Sequence, residues 1–203
     1  MVISVAQPYE DLDKKDYDIL FEGIYTRYEG KIFNVIYRLL SGNVDDPYTE
    51  AQDIMQDVFV AFYKKGLHNF RDEADPGTYL YTMALNRVRN HVKRLRKIRI
   101  YSFTDLASFP VSGFDYDGEI DFPDETSLTP ELSAVQSELG NVVHGALSHL
   151  HPEYREAIVL VDLQQLSYIE AAAAAGITIQ SLKSRLHRAR EDLRELLRPY
   201  VEA

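Results

Sequence analysis

The chain has 203 residues, 45% of them hydrophobic, which is enough apolar material for one medium domain or two small ones. It contains no cysteine, which excludes a disulfide framework and any cysteine-ligated zinc or iron–sulfur site. The net charge of -10 argues against a uniformly basic surface, and the acidic start and the absence of any apolar run near about 20 residues predict a cytoplasmic protein with no membrane insertion.

In chain order, Tyr17 to Leu40 carries Ile19, Leu20, Ile24, Tyr28, Ile32, Val35, Ile36 and Leu39 at three- and four-residue intervals, the repeat of an amphipathic helix that Ser41-Gly42-Asn43 ends. A second helix is expected from about Thr49 to Lys65, with Ile54, Val58, Ala61 and Phe62 inward and a stop near Gly66. After the turn Asp75-Pro76-Gly77, a third runs from Thr78 to about Lys97 on Tyr79, Leu80, Met83, Ala84, Val88 and Val92. Arg87, Arg89, Lys93, Arg94, Arg96, Lys97 and Arg99 make its second half basic, with no acid among them. From Ile100 to Tyr154 there is no Lys or Arg, while Asp and Glu accumulate, and Pro110, Gly113, Gly118, Pro123 and Pro130 break any regular pattern. This stretch reads as an acidic, mostly irregular linker, although Phe103, Phe109, Phe114, Tyr116 and Phe122 suggest that it docks somewhere.

A second helical unit begins near Leu132, with one helix to about Leu150 and another from His151-Pro152-Glu153 to Leu163. Ser167 and Glu170 form a capping box for a short helix through Ala175, Gly176 supplies a left-handed turn, and a long basic helix runs from Ile179 to about Leu197, closed by Pro199. The fold class is therefore all-α: two small helical domains, an amino-terminal bundle and a carboxy-terminal helix-turn-helix domain, joined by the acidic linker.

Two helices joined by a glycine-containing turn, the second basic, are the duplex-reading helix-turn-helix. At about 100° per residue, Leu182, Leu186, Ala189 and Leu193 share one inward sector, while Gln180, Ser184, His187 and Arg188 point away from it, flanked by Ser181 and Lys183. Those side chains suit base edges and phosphates, whereas Glu191, Asp192 and Glu195 further along repel phosphate and confine contact to the first three turns. The competing reading is a solvated polar face on an ordinary hairpin. In the third helix, Tyr79, Tyr81, Asn86, Arg87, Arg89, Asn90, Lys93 and Arg94 mix stacking groups, amides and cations in the manner of a single-strand platform, with the preceding Phe70-Arg71-Asp72 loop as a pocket for an extruded base. Here too a solvated basic helix end competes, and some of the tyrosines belong to the core. No cysteine nucleophile, phosphate-binding glycine loop or HExxH pair is present, so no enzyme is expected, and no cofactor or metal. His149 and His151 read as an ordinary surface pair.

Leu150-His151-Pro152-Glu153-Tyr154-Arg155-Glu156-Ala157, Leu166-Ser167-Tyr168-Ile169-Glu170-Ala171-Ala172 and Leu182-Lys183-Ser184-Arg185-Leu186-His187-Arg188-Ala189-Arg190 closely resemble the fourth conserved region of extracytoplasmic-function (ECF) sigma factors of the sigma-70 family. Asp53-Ile54-Met55-Gln56-Asp57-Val58-Phe59, Phe70-Arg71 and Tyr79-Leu80-Tyr81-Thr82-Met83-Ala84-Leu85-Asn86 resemble its second region. The resemblance implies a tail over 1–16, region 2 over 17–100, the linker over 101–130 and region 4 over 131–203. It also implies a transcription initiation factor that binds bacterial core RNA polymerase, recognises -35 and -10 promoter elements and promotes opening. Asp53, Gln56, Asp57, Phe59 and Phe62 match the polymerase-docking helix. Phe70, Arg71, Tyr79, Asn86, Arg87, Arg89, Asn90, Lys93 and Arg94 are assigned to the -10 strand, and Gln180, Ser181, Lys183, Ser184, Arg185, His187 and Arg188 to the -35 duplex. Tyr79 stands where family members usually carry Trp, and Thr82 where they carry Arg. An anti-sigma partner is left open, and the alternative function is a stand-alone helix-turn-helix regulator that binds duplex DNA without polymerase.

Overall fold

The computed structural model describes residues 14–66, 75–103 and 130–201. The Phe70-Arg71 loop, the amino-terminal tail and the body of the linker lie outside the described residues. Among them the regular structure is all helix, joined by short turns. Helix α1 spans Lys14–Leu40, α2 Pro47–Ala61 with a π-helical turn over Phe62–Gly66, and α3 Pro76–Phe103. Then come α4 at Pro130–His149, α5 at Pro152–Ile158 with a π-helical turn over Val159–Leu163, α6 at Tyr168–Ala175 and α7 at Ile179–Val201.

Local chemistry sets most of the ends. Asp46 accepts from the Thr49 backbone N–H at 3.1 Å and Pro47 follows it, so α2 starts with one orphan donor satisfied and a residue that needs none. The Ser167 capping box forms as expected: its hydroxyl accepts from Glu170 N, and Glu170 Oε2 accepts from Ser167 N at 2.8 Å. Gly176 closes α6 at φ 69°, a conformation that only glycine adopts without strain. Pro199 does not close α7, which continues to Val201. Its ring removes one N–H in a last turn that is largely exposed, where a carbonyl left without that donor is open to solvent.

The periodic apolar positions of the helices meet in one continuous buried core that runs through both domains. Ile32, Val35 and Ile36 of α1, Ile54 and Val58 of α2, Phe62, and Leu80, Ala84 and Leu85 of α3 are buried together. In the second domain the buried set is Leu147, Ile158, Val159, Leu160, Leu182, Leu186 and Ala189. The alanine-rich α6 packs against both α3 and α7, with Ala171, Ala172, Ala174 and Ala175 buried; small side chains there let three helices approach.

The two domains also pack on each other, which the sequence pattern did not foretell. Arg155, only 3% exposed, donates to the carbonyls of Leu39 and Ser41 at the end of α1 and to that of Ser148 in its own domain. Tyr37 of α1 stacks on His144 of α4 at 4.9 Å between ring centroids. Burial, with Arg38 and Arg155 nearby, pushes the His144 imidazole down to about 4, so it is neutral at pH 7. The unfolded chain takes up that proton first as the pH falls. Stability is therefore expected to be full above about 6.5 and to be lost progressively toward pH 4. Because the ring is partly solvated, the slope stays below about 1.4 kcal/mol per pH unit. Urea midpoints at pH 7.5 and 5.5 check this: His144→Phe should shrink the difference between them, and an unchanged difference contradicts the assignment.

Candidate nucleic-acid interface

Helix α7 is positioned by its inner face. Leu182, Leu186 and Ala189 are buried, Leu193 is half-buried against the core, and Arg190 pairs bidentately with Asp162 at 2.6 and 3.0 Å, tying α7 to the π-turn after α5. Thr178 Oγ1 accepts from Ser181 N at 3.1 Å, which caps the start of the helix. Gln180, Lys183, Ser184, His187 and Arg188 are exposed on the outside, as the 100° periodicity required, and Ser181 is half-buried beside them.

Several of these groups are held by neighbours. Arg188 Nη1 donates to the Tyr154 hydroxyl at 3.4 Å, and that contact raises its pKa further, so it is a permanent cation. Lys183 Nζ sits 5.8 Å from the centroid of Tyr168, and His187 Nδ1 meets Glu191 at 3.2 Å. Arg185 differs from the others. Its side chain is mostly covered and bound to Glu153 at 3.1 Å, on the flank of α7 rather than its outer face. Glu153 and Tyr154, at the start of α5, were not anticipated as site residues; they lie too far along the chain from α7 for any local spacing to signal them.

Helix α3 presents a second polar strip. Leu80, Ala84 and Val88 face the core, and at about 100° per residue the opposite sector holds Tyr79, Asn86, Asn90 and Lys93, with Arg94 beside it. Tyr79 is 42% exposed, and the other four are exposed. Tyr81 belongs to the core, with its hydroxyl 3.4 Å from Gln164 and its pKa raised out of the accessible range by burial. Thr82 donates to the Thr78 carbonyl at 2.8 Å, so its hydroxyl is satisfied within the helix. Two of the basic residues are drawn aside: Arg87 pairs with Asp57 of α2 at 3.1 Å, and Arg89 turns toward the second domain.

On α2, Asp53, Gln56 and Asp57 are exposed and form one stripe with Val60, which is 45% exposed; the i, i+3, i+4, i+7 spacing that would have added Val60 was present in the sequence. Phe59 and Phe62 require a correction. They are 3% and 0% exposed, Phe59 lies 4.8 Å from Tyr25 ring to ring, and Phe62 stacks at 6.5 Å on Phe21. Both fasten α2 to α1 and are unavailable to an outside partner, because the same helical repeat that gives α2 an outer stripe turns these two inward.

His149 is exposed and bonds the Gly145 carbonyl at 2.8 Å, while His151 precedes α5 and rests 5.5 Å from Tyr154. Among the described residues no group of three potential ligands is placed to hold a metal ion, and no helix is long and apolar enough to cross a membrane.

Comparison with known proteins places the chain in a family. Residues 24–98 match the family model for sigma-70 region 2, and residues 141–193 match that for sigma-70 region 4. The ECF RNA polymerase sigma factor SigW of Bacillus subtilis is 31% identical over 98% of this chain and 99% of its own. The RNA polymerase sigma-H factor of Pseudomonas aeruginosa is 29% identical, covering 93% of this chain and 90% of that one. The fold is shared with CnrH in complex with the cytosolic domain of CnrY, at a TM-score of 0.60 and 22% identity over 90% of both chains. RpoE from Bartonella quintana, in complex with the anti-sigma factor NepR, gives 0.59 at 22% identity over 87% of this chain and 98% of that one. The chain is a member of the extracytoplasmic-function sigma factors of the sigma-70 family.

Proposed function

We propose that the protein is a transcription initiation factor that binds core RNA polymerase, recognises the -35 and -10 elements of a promoter and promotes its opening, acting in the cytoplasm and catalysing no reaction itself. The observation that carries this reading is the pairing of two different polar strips on one chain. The α7 strip of Gln180, Lys183, Ser184, His187 and Arg188 suits a major groove, and the α3 strip of Tyr79, Asn86, Asn90, Lys93 and Arg94 suits unstacked bases and their backbone. A duplex-only repressor has use for the first strip and none for the second.

In this reading the exposed stripe Asp53, Gln56, Asp57 and Val60 of α2 docks on the polymerase. Arg188 reads a base edge, Lys183 neutralises a phosphate, and Arg185, braced by Glu153, orients the helix or meets the backbone. RpoE of Bartonella quintana was solved with an anti-sigma factor, which makes a protein of that kind a candidate partner here.

Run-off transcription with core enzyme on genomic fragments tests the function: discrete transcripts that require the added chain are expected, and none at any fragment would refute it. Arg188→Ala should then weaken use of the upstream element by about 1–3 kcal/mol and relax sequence preference at one position. Transcript yields across a set of single-base variants of that element measure this, and an unchanged preference removes Arg188 from the reading face.

A further inference from the structure

Beside its stacked and apolar groups, the contact between the domains carries a partly buried ion pair. Arg89 of α3 donates from Nε to Glu156 Oε1 at 2.8 Å and from Nη2 to Glu156 Oε2 at 2.6 Å, a bidentate fork. Nη2 also reaches the Ala175 carbonyl at 3.1 Å, at the turn of the helix-turn-helix, so one guanidinium ties α3 to both α5 and α6. Glu156 is nearly buried, with 11% of its side chain exposed against 37% for Arg89. Beside the pair opens a cleft of about 230 Å³ whose charged lining is Arg89, Lys93, Arg96 and Arg155, with Glu156 the one acid among them.

This arrangement is incompatible with reading two promoter elements at once. Some 25 base pairs separate them, about 85 Å at 3.4 Å per base pair. A compact chain of 203 residues has a radius of gyration of only about 17 Å. The stretch 104–129, at no more than about 3.3 Å per residue, has the contour length to let the domains part that far. A carboxylate and a phosphate each offer a guanidinium two anionic oxygens, so the two compete for the same fork. A DNA strand brought to the Asn86, Asn90 and Lys93 strip would also set phosphate charge beside the Glu156 carboxylate.

Resting on the promoter reading above, we propose that Glu156 is an internal competitor for the promoter strand: its carboxylate occupies Arg89 in place of a DNA phosphate and, together with the Arg155 contacts, holds the two domains closed in the free protein. The free chain is then a weak strand binder by construction, and parting the domains frees the cation and separates the two readers in one movement.

The test uses the full chain, which has no cysteine of its own, with fluorophores on Gln52→Cys and Asp192→Cys, both exposed positions. Glu156→Gln should raise the low-transfer, open population about tenfold. In parallel, affinity for a mixed-sequence single-stranded oligonucleotide, read by anisotropy with unlabelled protein, should rise by a similar factor. Glu22→Gln, which removes the same charge from an exposed position on α1, should change neither. The charge swap Arg89→Glu with Glu156→Arg should return energy transfer to the parent value, and a far-UV melt confirms that each variant is folded. A folded Glu156→Gln protein with unchanged transfer overturns the closure, and one that opens without binding the oligonucleotide more tightly overturns the competition. Neither readout includes polymerase, so a chain that never joins core enzyme sinks the promoter reading while leaving the compaction result as measured.

Discussion

Phe62→Ala is expected to destabilise the protein by about 3–5 kcal/mol, the range for truncating a fully buried aromatic residue. Phe62 has no exposed surface and sits where α1, the end of α2 and the start of α3 meet, with the rings of Phe21 and Tyr79 at 6.5 and 6.0 Å. The cavity left by alanine lies among residues fixed by three helices, so little of it can collapse. Gln56→Ala, two turns earlier on the outer side of α2, is expected to stay within about 0.5 kcal/mol of the parent in stability. It should instead weaken association with core polymerase. Urea denaturation followed by circular dichroism, beside sedimentation with core enzyme, separates the two effects. A Phe62→Ala protein of parental stability that fails to bind polymerase would restore Phe62 to the docking surface and refute its place in the core.

Arg155→Ala is the second large effect. The guanidinium satisfies the carbonyls of Leu39 and Ser41 from α1 and that of Ser148 from α4, all where helices end and their last carbonyls have no partner within the helix. Asn43 Nδ2 also donates to the Leu39 carbonyl at 3.2 Å and to that of Ser41 at 3.5 Å, so those two keep a donor and the Ser148 carbonyl bears most of the loss; at about 1–3 kcal/mol for a buried acceptor left unpaired, the total is expected to be about 3 kcal/mol. Burial, with Arg96 nearby, draws the Arg155 pKa down to about 10, which leaves it charged at neutral pH, so desolvation already offsets part of what it contributes. Arg155→Met should lose less, because its stem refills the space. The lost contacts span two domains, so the alanine variant should also unfold less cooperatively, with fluorescence and circular dichroism transitions that no longer coincide. Coincident transitions at the parental midpoint would show that the interface contributes nothing.

Much of the fold could be read from local chemistry. The inward faces of α1, α3 and α7 follow from 3.6-residue periodicity, and the start and end of α6 follow from Ser167, Glu170 and Gly176, whose effects are exerted within four residues. What local chemistry could not show was partnership across the chain. Nothing near Arg155 or Glu156 distinguishes them from surface residues of an amphipathic helix, because their partners, Ser41 and Arg89, lie in the other domain. The same gap explains Phe59 and Phe62. Which side of that helix faces α1 is decided by Phe21 and Tyr25, and the resemblance that matched Phe59 and Phe62 to a docking helix carries no information about that side. Pro199 was read as a terminator from its usual effect in a helix interior, which weakens in an exposed final turn.

For the candidate site, the outer face of α7 was legible residue by residue and the α3 strip nearly so. Arg87 and Arg89 were grouped with that strip by composition; their positions on the helix wheel, flanking it on either side, leave them free to pair with Asp57 and Glu156.

A carboxy-terminal duplex reader and an amino-terminal strand reader, both mounted on core polymerase, are expected to divide the promoter between them. Footprinting of a responsive promoter tests it most directly, with DNase protection upstream and permanganate reactivity of thymines downstream, each measured with the chain alone, core enzyme alone and both together. Upstream protection and downstream reactivity are expected only when both proteins are present. Equal protection by the chain alone, with no reactive thymines when polymerase is added, would contradict it.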